Sequence, residues 1–161
     1  MTQALIPHLP VLGGPIWEPA AGSGQMVATL TDMGFDVFGT DIVDGVDFLD
    51  CVPRACAAVI TNPPYAFAKA FIVRALEVTR PRGLVAMLLR ADYDHAATRS
   101  SLFMHPFAKK VALTKRIVWF DGPRAAPSFN HCWMIWEWQH KGPPTLAFGP
   151  SITAARPHHM E

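Results

Sequence analysis

"PIWEPAAGSGQMVATLTDMGFDVFGTDI", residues 15–42, changes its hydrophobic period twice. "PIWEP" is a short apolar run suited to a strand, "GQMVATLTDMG" carries apolar residues at helical spacing and stops at Gly34, and "DVFGTDI" returns to strand-forming residues. Together they spell a βαβ unit. The turn inside it holds Gly22 and Gly24, which let a ligand come close to the backbone at the carboxyl end of a strand, where open α/β sheets bind their ligands. Asp41 closes the second strand seventeen residues after Gly24, at a place where a carboxylate can accept hydrogen bonds from a ribose diol.

The alternation continues outward from this unit. "CAAVITN" (56–62) predicts a third strand, "AKAFIVRALEVT" (68–79) an amphipathic helix stopped by "RPRG", and "GLVAMLLR" (83–90) a continuously apolar fourth strand. "DFLD" (47–50) reads as a turn or short strand. Strands and helices that alternate in this way predict a mostly parallel sheet with helices on both faces. "HAATRSSLFM" (95–104) predicts one more helix, after which "KKVALT" (109–114), "RIVWF" (116–120) and "HCWMIWEW" (131–138) are strands with little helix between them. An antiparallel hairpin is therefore expected to finish the sheet. In "HCWMIWEW" the alternation sends Cys132, Met134 and Trp136 to one face and Trp133, Ile135 and Glu137 to the other, as in a core strand. Residues 1–140 read as one domain and 141–161, rich in Pro and Gly, as a loop or disordered tail.

A chain of 161 residues suffices for one core. No apolar run reaches the roughly 18 residues of a membrane span. "MTQALIPHLP" has no basic segment followed by a long apolar one, so a cytoplasmic location and no membrane partner are expected. Cys51, Cys56 and Cys132 follow no zinc-ligand spacing and read as reduced packing residues, and no metal is expected. Net charge is +1, but residues 1–53 carry seven acids and no Lys or Arg, whereas residues 54–161 carry fourteen bases and six acids. Such polarity suits a polyanionic partner, and scattered solvated bases give similar sums.

"TNPPYAF" (61–67) leaves the third strand through an amide, two prolines and a ring. Proline cannot donate to a ladder and biases its predecessor away from helix, so the segment is a rigid extended turn. Asn62-Pro63-Pro64-Tyr65, with "EPAAGSG" and Asp41 upstream, resembles the amino-methyltransferase branch of the adenosylmethionine-dependent methyltransferases, whose (D/N/S)-P-P-(Y/F/W) motif follows the fourth strand of a Rossmann-like sheet. The resemblance implies a single-domain Rossmann-like α/β methyltransferase with S-adenosyl-L-methionine as cofactor. It extends over roughly residues 4–140, and "LLRADYDHAATRSSLF" with "WFDGPRAAPSFNHCWMIWEW" is similar to small methyltransferases carried by phages and mobile elements.

Carried over by residue, the resemblance makes Asn62, Pro63, Pro64 and Tyr65 the catalytic turn. Asn62 oxygen and the Pro63 carbonyl would accept from the two N–H bonds of an exocyclic amine, and the Tyr65 ring, rather than its hydroxyl, would stack on the planar acceptor. Glu18, Ala20, Gly22 and Gly24 fall on the first cofactor motif, with the glycine turn facing the methionine part; Asp41 falls on the ribose-binding acid, and Asn62 also borders the cofactor. Asp47 and Phe48 match the segment whose acid meets the adenine amino group and whose aromatic packs on the ring; a plain turn explains them too. Adenine N6 of DNA is the favoured acceptor. RNA bases and protein glutamine amides present the same planar nitrogen, and a non-catalytic cofactor-binding or partner subunit is the alternative outside catalysis. Relatives often carry a Thr-Pro segment ahead of "LIPHLP" that helps to close over the cofactor, and this sequence starts after that point. Only residues 90–108 and 119–131 are spare for target recognition, so a separate recognition partner and weak sequence preference are expected. Arg90, Tyr93 and Arg99 follow the fourth strand as candidate substrate contacts. Lys109, Lys110, Lys115 and Arg116 could grip phosphates or form a solvated edge, and His158 and His159 lie in the tail with no metal role expected.

Overall fold

Seven strands form one sheet in the order β2-β1-β3-β4-β6-β5-β7. The computed structural model describes residues 1–114 and 129–149. The strands are β1 (Ile16–Glu18), β2 (Val37–Gly39), β3 (Ala58–Thr61), β4 (Leu84–Arg90), β5 (Phe107–Leu113), β6 (His131–Glu137) and β7 (Thr145–Gly149). β1 pairs in parallel with both β2 and β3, and β3 with β4. β6 then enters antiparallel between β4 and β5, with Leu84 opposite Glu137 and Arg90 opposite His131. The fold is the Rossmann-like arrangement expected, a largely parallel sheet with an antiparallel strand pair.

Two helices and the N-terminal segment cover the sheet. α1 (Gln25–Asp32) starts after Gly24 and ends where Gly34, with φ 88°, turns the chain back, so that the Phe35 amide donates to the Leu30 carbonyl. α2 (Ala68–Thr79) buries Ala68, Phe71, Ile72, Ala75 and Thr79, the stripe its sequence period dictates. That stripe meets Val85, Met87 and Leu89 of β4 and Cys132, Met134 and Trp136 of β6. On the other face Leu5, Leu30, Ala86, Leu88, Trp133 and Ile135 pack together. β4 is buried on both faces because helix or chain lies over each, hence its unbroken apolar run.

Two stretches differ from their sequence reading. Residues 95–104 form no α-helix but two 3-10 segments, Tyr93–His95 and Ala97–Phe103. In the second only Leu102 is buried, so no apolar stripe drives a full helix. Thr145–Gly149, read as loop, is a strand parallel to β5. Pro and Gly around it hide a five-residue strand whose ladder, rather than its composition, orders it. The strand expected over 116–120 and the end of the tail lie outside the described residues.

Candidate functional site

β1 lies between β2 and β3, so the chain moves outward to one side after β1 and to the other with β3. At such a switch the carboxyl ends of the two central strands splay and leave a crevice. Glu18 ends β1, and Thr61 and Asn62 end β3 and begin the proline turn. Glu18 Oε1 accepts the Ala20 amide at 3.0 Å, which bends the chain immediately after the strand. The Ala21 amide then donates to the Thr40 carbonyl, and Gly22 and Gly24 take φ of 51° and 77°, a left-handed path that side-chain-bearing residues rarely follow. Asp41 holds this turn. Its Oδ2 accepts the Gly22 amide at 2.7 Å, and its Oδ1 accepts the Val43 amide at 3.1 Å. The glycine turn and the end of β2 are thereby tied together.

A cavity of about 510 Å³ occupies the crevice, walled by Glu18, Ala20–Ser23, Asn62 and the N-terminal Met1–Gln3. Its size suits a small molecule. Two groups in its wall are out of balance. Glu18 is 1% exposed, and burial lifts its carboxyl pKa to about 7, with Asp41 adding to the rise and the Thr61 hydroxyl and Ala20 amide opposing it. Asn62 Oδ1 is buried with no hydrogen-bond partner among the described residues. An unpaired buried acceptor is unfavourable by about 1–3 kcal/mol, so both groups favour a ligand that brings donors or positive charge.

The far side of the proline turn faces a second cavity of about 310 Å³, lined by Tyr65, Arg90, Asp92, Tyr93 and Arg99. The turn therefore stands between two cavities, Asn62 toward one and Tyr65 toward the other. Tyr65 is half exposed, yet its ring is held: its hydroxyl lies 2.7 Å from His131 Nε2, and the two rings stack at 6.3 Å and 27°. His131 is 2% exposed at the start of β6, and burial pushes its pKa down. The structure adds to the ring a contact of the hydroxyl, which meets His131 across the sheet.

The structure brings together Glu18, Ala20, Gly22 and Asn62 around one cavity, with Gly24 and Asp41 supporting the turn beside it. It sets Asp47 and Phe48 apart. Phe48 is 2% exposed and packs edge-on to Trp17 at 5.0 Å and against Phe71 at 5.1 Å, so it is a core residue rather than a ring-packing surface. Asp47 Oδ1 accepts the Leu49 amide at 2.9 Å, which is the plain turn. Lys110 is no free phosphate grip either: its ammonium lies 2.7 Å from Asp94 Oδ2 and donates to the Ala91 carbonyl. Lys115, Arg116, His158 and His159 lie outside the described residues. Two participants had gone unnoticed. Met1–Gln3 wall the cavity, fixed by the Trp133 indole donating to the Met1 carbonyl at 3.1 Å, and His131 holds Tyr65. Neither carries a local signal, since each acts across more than sixty residues of sequence. Among the described residues no group of three or more His, Cys, Asp or Glu could hold a metal ion, and no helix is long and apolar enough to cross a membrane.

No family model and no curated protein sequence matches the chain. Solved structures do. A protein of Listeria monocytogenes described as a class I S-adenosylmethionine-dependent methyltransferase is 14% identical over 91% of this chain and 60% of its own, with a TM-score of 0.60. A 1,6-didemethyltoxoflavin-N1-methyltransferase of Burkholderia thailandensis, solved with 1,6-didemethyltoxoflavin and S-adenosylhomocysteine, is 14% identical over 84% of this chain and 76% of its own, TM-score 0.57. A modification subunit assigned to a type I restriction enzyme of Vibrio vulnificus is 13% identical over 89% of this chain and 44% of its own, TM-score 0.55. At these identities the likeness is one of fold. The chain spans less than two thirds of the Listeria protein and less than half of the Vibrio subunit.

Proposed function

We propose that the chain is an adenosylmethionine-dependent methyltransferase acting on an exocyclic amino nitrogen, with adenine N6 of DNA as the favoured acceptor. The observation that carries this is Asn62 Oδ1, buried and unpaired on a rigid turn between two cavities. The residues of the larger cavity fit the cofactor. Its amino-acid end carries an ammonium, which Glu18, a buried carboxyl with no cation of its own, would meet. When bound, the cofactor supplies an electrophilic methyl group on a positively charged sulfur. Met1–Gln3 shield that side from water.

The chain's own residues then position the acceptor. Asn62 Oδ1 accepts one N–H of the amine and the Pro63 carbonyl the other, drawing a lone pair that is delocalised in the ring toward a tetrahedral direction. Tyr65, held by His131, stacks on the ring and fixes its angle. The nitrogen would take the methyl as its bond to the cofactor's sulfur breaks, and the proton it loses would pass from its hydrogen bond at this turn to water, so positioning replaces a strong base. RNA bases and glutamine amides would satisfy the same contacts, and the nucleic-acid fold relative from Vibrio supports DNA as the first acceptor to test.

Calorimetry tests the cofactor. S-Adenosylhomocysteine is expected to bind and NAD is not; tighter binding of NAD would overturn the assignment. Asp41→Ala is expected to weaken S-adenosylhomocysteine by about 1.5–3 kcal/mol, the loss of hydrogen bonds to a charged group, because the ribose acceptor and the brace of the Gly22 turn go together.

Tyr65 separates stacking from anchoring. Tyr65→Ala should weaken the acceptor by about 1–3 kcal/mol, the loss of one stacked base. Tyr65→Phe keeps the ring but loses the bond to His131, and should weaken it by about 1 kcal/mol, matched by His131→Phe and not increased in the double variant. Additive losses, read from acceptor titrations, would show that the two side chains act separately.

A further inference from the structure

Resting on the acceptor-nitrogen reading above, we propose that the cavity beside Tyr65 is a nucleotide site, in which Arg99 takes the phosphate of a single nucleotide while Tyr65 stacks on its base. Three features of the cavity point to this. First, Arg99 has no carboxylate partner among the described residues, yet it is held in place, its guanidinium 4.1 Å above the Tyr93 ring. Tyr93 itself is 9% exposed and so is a fixed platform. The guanidinium also hydrogen-bonds the Tyr93 side chain, and with five N–H donors it keeps others for an oxyanion, which it grips with little loss of side-chain entropy.

Second, the neighbouring arginine is neutralised. Arg90 Nε and Nη2 lie 3.1 and 2.9 Å from the two oxygens of Asp92, and its guanidinium lies 4.0 Å over Phe129. Arg90 and Asp92 thus form a nearly neutral rim, and the uncompensated charge in the cavity is that of Arg99. The nearby Lys110 is likewise spent on Asp94, and Lys69 donates to the Thr98 carbonyl at 3.3 Å. One fixed positive charge calls for one anion.

Third, the opposite wall is aromatic. Tyr65 lines this same cavity, and its ring is clamped at a set tilt by His131. A ligand that satisfies both walls must carry a flat π-face and, a short distance from it, an anion. A nucleotide has both, whereas a glutamine side chain offers only the small face of an amide and no charge. About 310 Å³ is at the small end of ligand cavities, which suits one unstacked nucleotide rather than a stacked base pair. The acceptor is accordingly a single-stranded or flipped-out nucleotide, and phosphate contact fixes its register without reading sequence.

The test is binding of a fluorescein-labelled single-stranded oligodeoxynucleotide, followed by polarisation over a salt series with no cofactor present, so that it stands or falls apart from methyl transfer. Arg99→Gln is expected to weaken binding at low salt by about tenfold and to lower the slope of log affinity on log salt by about 0.7, the share of one phosphate on a single strand. Arg82→Gln, an exposed change in the turn ahead of β4 at the other end of the sheet, is expected to alter neither. S-Adenosylhomocysteine titration of Arg99→Gln should match the parent, and Arg99→Lys, which keeps a charge beside the Tyr93 ring, should keep the parent's salt slope. An Arg99→Gln slope and affinity equal to those of Arg82→Gln would overturn the proposal. So would binding of a glutamine-containing peptide, lost in Arg99→Gln, by a chain that ignores the oligonucleotide. If S-adenosylhomocysteine binds normally in either case, the methyl-transfer reading survives and the nucleotide site alone falls.

Discussion

Asn62→Ala is expected to lower the single-turnover rate of methyl transfer by a factor on the order of 10² to 10³, the usual loss when one preorganised polar group is removed from the reacting centre. The prolines and the glycine turn remain, so S-adenosylhomocysteine should still bind. Stability gives an independent check. A group that merely braced the turn would lower the melting temperature when removed, but Asn62 Oδ1 has no partner to lose. Deleting an unpaired buried acceptor relieves its desolvation penalty, and the ligand-free variant should melt no lower than the parent. A slow variant of undiminished stability would mark Asn62 as a group kept at a cost for chemistry. A variant that loses rate and stability together would mark it as scaffold.

Glu18→Gln should act in the same sense on stability, but with a pH dependence. The folded carboxyl titrates at about 7 against an ordinary value of 4.5, because burial penalises the charged form. Between those two pH values the folded protein holds a proton that the unfolded chain has released, so stability falls as pH rises through that window. Above it the whole penalty is present, on the order of 3 kcal/mol for a shift of this size. Glutamine keeps the acceptor for the Ala20 amide and removes the charge. The variant is therefore expected to be more stable than the parent at pH 8 by up to this amount and equal to it at pH 4. Binding should show the reverse, since the ligand's ammonium is what would offset an ionised Glu18; S-adenosylhomocysteine should bind the variant more weakly, and more so at pH 8 than at pH 6. Equal melting shifts at pH 4 and pH 8 would mean that charge is not the cause.

The βαβ unit around Gly22 and Gly24 was legible because strand, glycine turn and helix each carry their own local pattern, and so was β4, whose unbroken apolar run reports cover on both faces. Asn62-Pro63-Pro64-Tyr65 was legible for the same reason: proline chemistry acts within four residues. What the sequence concealed depends on distant partners. Thr145–Gly149 is a strand only because β5 offers it a ladder, and residues 95–104 fail as a helix because the site above β4 gives them one buried side chain to anchor. Phe48 reads like a surface for a ligand's ring, but Trp17 and Phe71 converge on it from β1 and α2. At position 65 the hydroxyl's contact with His131 has no local signal, because its partner lies sixty-six residues away.

Methyl transfer itself tests the account most directly. The chain, incubated with adenosylmethionine labelled in its methyl group and with single-stranded DNA, is predicted to place the label on adenine as N6-methyladenine, and Asn62→Ala in the same incubation to place almost none. Label that appears in no DNA, RNA or protein while S-adenosylhomocysteine binds, or label that forms equally well with Asn62→Ala, would contradict it.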